Sequence, residues 1–168
     1  MTSDKIPRVI ICFEHPGSDD AQSLIRQLDE DLRRRYPSLQ ETHGLHPADL
    51  IDPNFTFVIA KIDSSAVGCG ALRRFEPGIG EIKRMFVRPE FRRGGIARRI
   101  LEALESKAHE LGYTSVLLET GIGQPEAIGL YKSAGYYQIA GFDEYAGNPF
   151  SVCFEKRLNL NDAPNCEN

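Results

Sequence analysis

The chain has no C-x-x-C pair and no excess of positive charge, and no apolar run reaches the roughly 18 residues of a membrane-spanning helix. Each absence removes a class of function. The four cysteines stand apart at 12, 69, 153 and 166, and the four histidines at 15, 43, 46 and 109 show no ligand pairing. Zinc sites draw on closely spaced ligands, so no metal is expected. The cysteines read as reduced packing residues. The N-terminal MTSDKIPRV lacks the apolar core of a signal peptide. The expectation is a cytoplasmic protein without a membrane partner. A net charge of −4 gives no bulk affinity for nucleic acid. Internal repeats and low-complexity blocks are also missing.

What is present is a globular balance, 26% charged and 41% hydrophobic over 168 residues. That length suits a single domain, expected over 1–158, with the polar stretch 159–168 as a frayed tail. The pattern predicts a strand at 9–13, then a helix capped by Ser18 or Asp19 and ended by Pro37. Its apolar face is Leu24, Ile25, Leu28, Leu32 and Tyr36. Arg33, Arg34 and Arg35 read as its solvated end, where cations favour the dipole. The stretch 37–53 is polar, with a short helix at 47–51 opened by Pro47. Strands at 56–62 and 66–74 are joined by Asp63, Ser64 and Ser65. Gly68 and Gly70 mark a bulge or a close backbone approach in the second of these. A turn at 76–80 leads to a strand at 82–87.

The centre of the chain is 81–111. After the strand, Pro89 stops the ladder, and Gly94 and Gly95 permit a tight turn. A long helix follows with Ile96, Ile100, Leu104, Ala108 and Leu111 on one face. The first N–H groups of a helix lack partners and the dipole is positive there, so the turn can hold a phosphate. Arg92, Arg93 and Arg98 add charge beside it. A Gly-Gly before a helix is also a common loop, and the arginines could be a solvated face. Strand alternation places Glu81, Lys83 and Met85 on one face and Ile82, Arg84 and Phe86 on the other. Downstream come a strand at 115–120, a helix opened by Pro125 with Ala127, Leu130, Tyr131 and Ala134 on one face, and strands at 136–140 and 151–157. This is an α/β or α+β layered domain.

Arg92, Arg93, Gly94, Gly95, Ile96 and Ala97 resemble the R/Q-x-x-G-x-G/A signature of the GNAT superfamily of acetyl-CoA-dependent N-acetyltransferases. The run Gln124 to Tyr131, with Ser133, Ala134, Gly135 and Tyr136, resembles that family's N-x-x-A-x-x-L-Y-x-x-x-G-F segment, with Gln124 in place of Asn and Tyr136 in place of Phe. The likeness implies a mixed, mainly antiparallel sheet of about seven strands flanked by helices. Its central strand pair, 82–87 and 115–120, is splayed to admit acetyl-CoA. Backbone groups of the turn 92–97 would hold the pyrophosphate, and the backbone of Met85, Phe86 and Val87 would pair with the pantetheine arm. Gln124 and Ala127 would border the cofactor.

Within the resemblance Tyr131 is the general acid, and Glu81, eleven residues before Arg92, is the general base. A core aromatic and a strand-end salt bridge are the plainer alternatives. The region 37–53 corresponds to the acceptor pocket, which makes Glu41, Thr42, His43 and His46 substrate candidates, together with Thr120. Lys83, if it faces the pocket, could meet a carboxylate on the acceptor. The function implied is acetyl transfer from acetyl-CoA to the primary amine of a small molecule. A protein N-terminal or lysine acetyltransferase and a non-catalytic acyl-CoA-sensing module are the alternatives. The family is often dimeric, so a homodimer stays open.

Overall fold

Among the described residues seven strands form one sheet in the order β1-β2-β3-β4-β5-β7-β6. The computed structural model describes residues 8–38, 45 and 47–159. The strands are β1 (Val9–Phe13), β2 (Thr56–Ile62), β3 (Ser65–Glu76), β4 (Ile79–Val87), β5 (Ser115–Gly121), β6 (Tyr137–Ile139) and β7 (Ser151–Arg157). The helices are α1 (Asp19–Arg35), α2 (Pro47–Ile51), α3 (Ile96–Glu110) and α4 (Pro125–Ser133). Among the described residues β4 and β5 pair in parallel and the other neighbouring strands pair antiparallel. The mixed, mainly antiparallel sheet of seven strands is as expected. Among the described residues no helix is long and apolar enough to cross a membrane.

The two faces of the sheet carry two cores. On one, Ile96, Ile100, Leu104 and Ala108 of α3 pack with Val58, Leu72, Ile82, Val116 and Phe154, and Tyr131 of α4 joins them. On the other, Ala21, Leu24 and Leu28 of α1 cover Phe57, Ile59, Cys69, Ala71 and Phe86. Burying each large aliphatic side chain contributes about 1.5–3 kcal/mol. Ser18 caps α1, its hydroxyl accepting from the Ala21 N–H at 3.2 Å.

Besides shifts of one or two residues at the ends of β3, β5 and β6, three differences from the pattern reading bear on the site. The β2–β3 turn is Asp63 and Ser64 alone, both at positive φ (47° and 69°), and Ser65 already pairs with Ile62. Two residues in that conformation match the strand twist better than a three-residue loop. β4 begins at Ile79 rather than 82. Ile79 and Gly80 pair with β3 on one side and with Ser115 and Val116 on the other. Ladder bonds on both edges outweigh the turn signal of the glycines.

The third difference matters most. Cys69 pairs with Phe86 and Ala71 with Lys83, so Arg84 and Met85 together oppose Gly70 alone. This is a β-bulge. Arg84 sits at φ 58° and turns its side chain to α1, donating to Asp29 Oδ1 at 2.8 Å and to the Ile25 carbonyl at 3.3 Å. Strict alternation therefore fails in β4. Phe86 packs on the α1 face, on the same side as the partners of Glu81 and Lys83, whereas Ile82, Met85 and Val87 pack on the α3 face.

Gly70 lets α3 approach this bulge. A Cβ there would lie 2.7 Å from Met85 Sδ, 2.8 Å from Ile100 Cγ2 and 2.9 Å from Leu104 Cδ1. Gly70→Ala is expected to destabilise the fold by about 1–3 kcal/mol, the usual range for overpacking. At an open strand position the same change is neutral or favourable, so an unaltered urea midpoint would refute the packing.

Candidate active site

β4 and β5 run together only from Ile79↔Ser115 to Ile82↔Leu118. Past that point β4 follows β3, pairing Phe86 and Val87 with Cys69 and Gly68, while β5 follows β7 as far as Gly121↔Ser151. The bulge at Arg84 turns β4 away at the step where the pairing stops. A cavity of about 630 Å³ occupies the fork. Met85, Phe86 and Val87 line one side of it. Glu119 and Thr120 line the other, with Gln124, Ala127 and Tyr131 beyond them.

The open end of the fork meets the start of α3. Arg93 and Gly95 both take left-handed φ (66° and 79°), which folds the chain into a tight turn. Gly95 occupies the N-cap position, and no side chain caps the helix. Its first N–H groups are thus left to a ligand, at the positive end of the dipole. A Cβ at Gly95 would meet nothing within 4 Å, so the space in front of this backbone is open. Arg92, Arg93, Gly95, Ile96, Ala97 and Arg98 all border the cavity; Gly94 does not.

Arg92 does more than add charge. Its Nε donates to the Val87 carbonyl at 2.8 Å, its Nη2 reaches Asp31 at 3.4 Å, and its guanidinium lies 5.6 Å from the centre of the Phe86 ring. It ties the turn to β4 and to α1. Arg98 donates to the Ser133 hydroxyl and so links α3 to α4.

The far wall is the second half of α1. Leu28, Asp31, Leu32 and Arg35 line it. Arg35 pairs with Asp31 at 3.3 Å and with Glu126 of α4. Its side chain is about a quarter exposed, which corrects the reading of the whole arginine run as a solvated end. Arg34, paired with Glu30 in the open, does fit that reading. The sequence carried no local signal for this wall, because α1 reaches the cavity only through the tertiary fold.

The expected catalytic residues divide. Tyr131 lines the cavity and is 4% exposed, its ring edge-on to Tyr136 at 5.8 Å and tilted against Phe154 at 6.2 Å. Burial, and then the charge of Glu119, push its proton affinity well above that of an ordinary phenol. Glu81 is not brought to the cavity lining. It is 1% exposed, accepts from Arg73 Nε at 2.7 Å, and accepts from the Tyr145 hydroxyl at 3.1 Å. Arg73 in turn faces Asp49 and Asp143, each at 3.7 Å. Burial and the charge of Glu81 raise the proton affinity of Tyr145. Lys83 and Thr120 do line the cavity. His43, with Glu41, Thr42 and His46, lies outside the described residues.

Glu119 was missed. It borders the cavity and accepts a hydrogen bond from Ser151 at 2.8 Å. A single carboxylate inside the strand-like run VLLET carries no motif, and its place depends on where β4 and β5 part. Cys69 is fully buried, its thiol donating to the Arg84 carbonyl at 3.3 Å, and burial pushes its pKa up to about 12. That thiol cannot serve as a ready nucleophile. Among the described residues no group of three or more His, Cys, Asp or Glu side chains gathers as metal ligands.

Comparison with known proteins agrees with this geometry. The chain is 40% identical over 154 residues to a protein of Azospirillum brasilense named IAA acetyltransferase, covering 91% of this chain and 100% of that one. A solved Klebsiella pneumoniae structure, classed as an acyl-CoA N-acyltransferase, matches with TM-score 0.76 and 32% identity over 90% of this chain and 98% of that one. A GNAT family acetyltransferase of Elizabethkingia anophelis, solved with acetyl-CoA bound, shares the fold with TM-score 0.64 at 19% identity, covering 89% and 98% of the two chains. The profile of the acetyltransferase (GNAT) family matches residues 22–136, from α1 through α3 to the end of the Tyr131 segment, so this chain belongs to that family of acetyl-CoA-dependent N-acetyltransferases.

Proposed function

We propose that the chain moves the acetyl group of acetyl-CoA to the primary amine of a small molecule by direct attack in a ternary complex. The observation that carries this is the fork itself, a cavity running from the uncapped start of α3 to Tyr131 and Glu119. The name of the Azospirillum relative supports a small-molecule acceptor. Acetyl-CoA supplies the acyl group and the thiol leaving group.

The backbone N–H groups at the start of α3 bind the pyrophosphate, and the β4 edge beyond Ile82, unpaired toward β5, aligns the pantetheine arm and polarises the thioester oxygen. Glu119 takes the proton from the amine, directly or through one water. The new C–N bond forms as the C–S bond breaks, and Tyr131 gives its proton to the departing sulfur. Glu81 acts as a positioning residue, holding Arg73 and the Tyr145 segment against β4.

Release of free thiol from acetyl-CoA across a small-amine library, with peptide amines as a separate arm, tests the reaction. Calorimetry tests the site. A β-branched residue is disfavoured at the φ of Gly95, so Gly95→Val should weaken acetyl-CoA binding by roughly tenfold or more, as expected for disturbing an anion site at a helix start. Unchanged affinity in a folded Gly95→Val variant, or no thiol release with any amine, would sink the reading.

A further inference from the structure

The last paired residues of the fork are Ile82 and Leu118. Lys83 and Glu119 are the next residues on each strand, and both line the cavity. They bring opposite charges to the point where the strands part. The Lys83 side chain is only 4% exposed. Its Nζ is buried and makes no hydrogen bond among the described residues. The Glu144 carboxylate stands 3.7 Å away, beyond hydrogen-bonding distance, on a side chain 31% exposed. The neighbouring cations are engaged more closely, Arg73 with Glu81 at 2.7 Å and Arg84 with Asp29 at 2.8 Å.

A buried ammonium with unmet donors calls for an anion. The phosphates do not suit it. Lys83 and Val87, beside the turn, are four residue steps apart on β4, a span of at most roughly 13 Å in extended chain and shorter across the bulge at Arg84. A pyrophosphate seated at the start of α3 would lie beside the Val87 end of this segment, and Lys83 stands at the other end, where β4 and β5 part. Lys83 shares this cavity with Glu119 and Tyr131, the residues assigned to the reaction above. We propose that Lys83 binds the carboxylate of the acceptor, and that the acceptor is an amino acid whose amine faces Glu119. This rests on reading the fork as an amine-acetylating site.

The test pairs the common α-amino acids, β-alanine and 4-aminobutyrate each with its own primary carboxamide. The kcat/KM ratio of acid to amide is measured for wild type, Lys83→Met and Lys83→Arg. Comparing ratios between proteins cancels the differing basicity of the two amines. The wild type should favour at least one acid, and Lys83→Met should cut that ratio by roughly 10- to 100-fold, the range for a lost charge-assisted hydrogen bond. The change should fall on the KM of the acid. Lys83→Arg should keep most of the preference. Acetyl-CoA affinity and thermal midpoint, measured alongside, show that Lys83→Met is folded. An equal ratio in wild type and Lys83→Met, or no acid favoured over its amide, overturns the assignment. If no amine releases thiol, the transfer reading fails instead, and calorimetry of the same pairs on the CoA-loaded protein decides Lys83 separately. Tighter acid binding that vanishes in Lys83→Met upholds the anion site, and equal binding overturns it.

Discussion

Glu119→Gln is expected to lower kcat/KM by roughly 10²–10⁴-fold, the usual worth of a positioned general base. The substitution keeps the size of the side chain and leaves an oxygen to accept from the Ser151 hydroxyl, which bonds Oε1 at 2.8 Å. Only the proton-accepting charge is lost. The defect should be largest below the pKa of the acceptor amine, where the amine must be deprotonated on the enzyme, and should shrink as rising pH delivers neutral amine. Glu81→Gln is the matched control. The Glu81 carboxylate lies outside the cavity lining, between Arg73 and the Tyr145 hydroxyl. Removing its charge leaves Arg73 with carboxylates no closer than 3.7 Å. The Glu81 variant should therefore lose stability while its pH–rate profile keeps its shape. The opposite result, a normal profile in Glu119→Gln and a lost acidic limb in Glu81→Gln, would return the base to Glu81.

The two carboxylates also show where sequence reading stopped. Much of the scaffold was legible because its signals are local. Ile96, Ile100, Leu104 and Ala108 repeat at helical spacing and do bury one face of α3. The paired glycines and Pro125 punctuate where α3 and α4 begin. The splayed strand pair came from the family likeness. The bulge at Arg84 did not declare itself, since nothing in an arginine predicts φ 58°. That one extra residue reassigns Met85 and Phe86 to opposite faces from those of simple alternation, and it marks where the cavity begins. Glu119 gains its position from the same event. Arg35 and Asp31 join the wall because α1 crosses the sheet and meets α4 through Glu126, a contact between residues far apart in the chain. Such placements follow from pairing and packing, which a pattern of neighbours does not encode.

Tyr131→Phe should lower kcat by something like 10²-fold while sparing the fold and acetyl-CoA affinity, as expected for losing a general acid. The ring sits against Tyr136 and Phe154, and phenylalanine preserves both aromatic contacts. What disappears is one hydroxyl beside the cavity. Burial and the charge of Glu119 keep that hydroxyl protonated above the usual tyrosine range, so it remains a donor throughout the pH interval in which an amine becomes neutral. A phenol held this firmly is a weaker acid than an ordinary one, so what it offers is a hydrogen bond and a proton delivered as negative charge develops on the departing sulfur. Both kcat and kcat/KM should fall together, because the bond to sulfur matters in the transition state and not in the bound thioester. The loss should shrink with an acyl donor whose thiol is more acidic, since such a sulfur departs without help. Glu119→Gln should respond oppositely, improving with a less basic amine and remaining indifferent to the thiol. If Tyr131→Phe turns over at the wild-type rate, or loses activity only in proportion to unfolded protein, then Tyr131 is a packing residue and the proton comes from water.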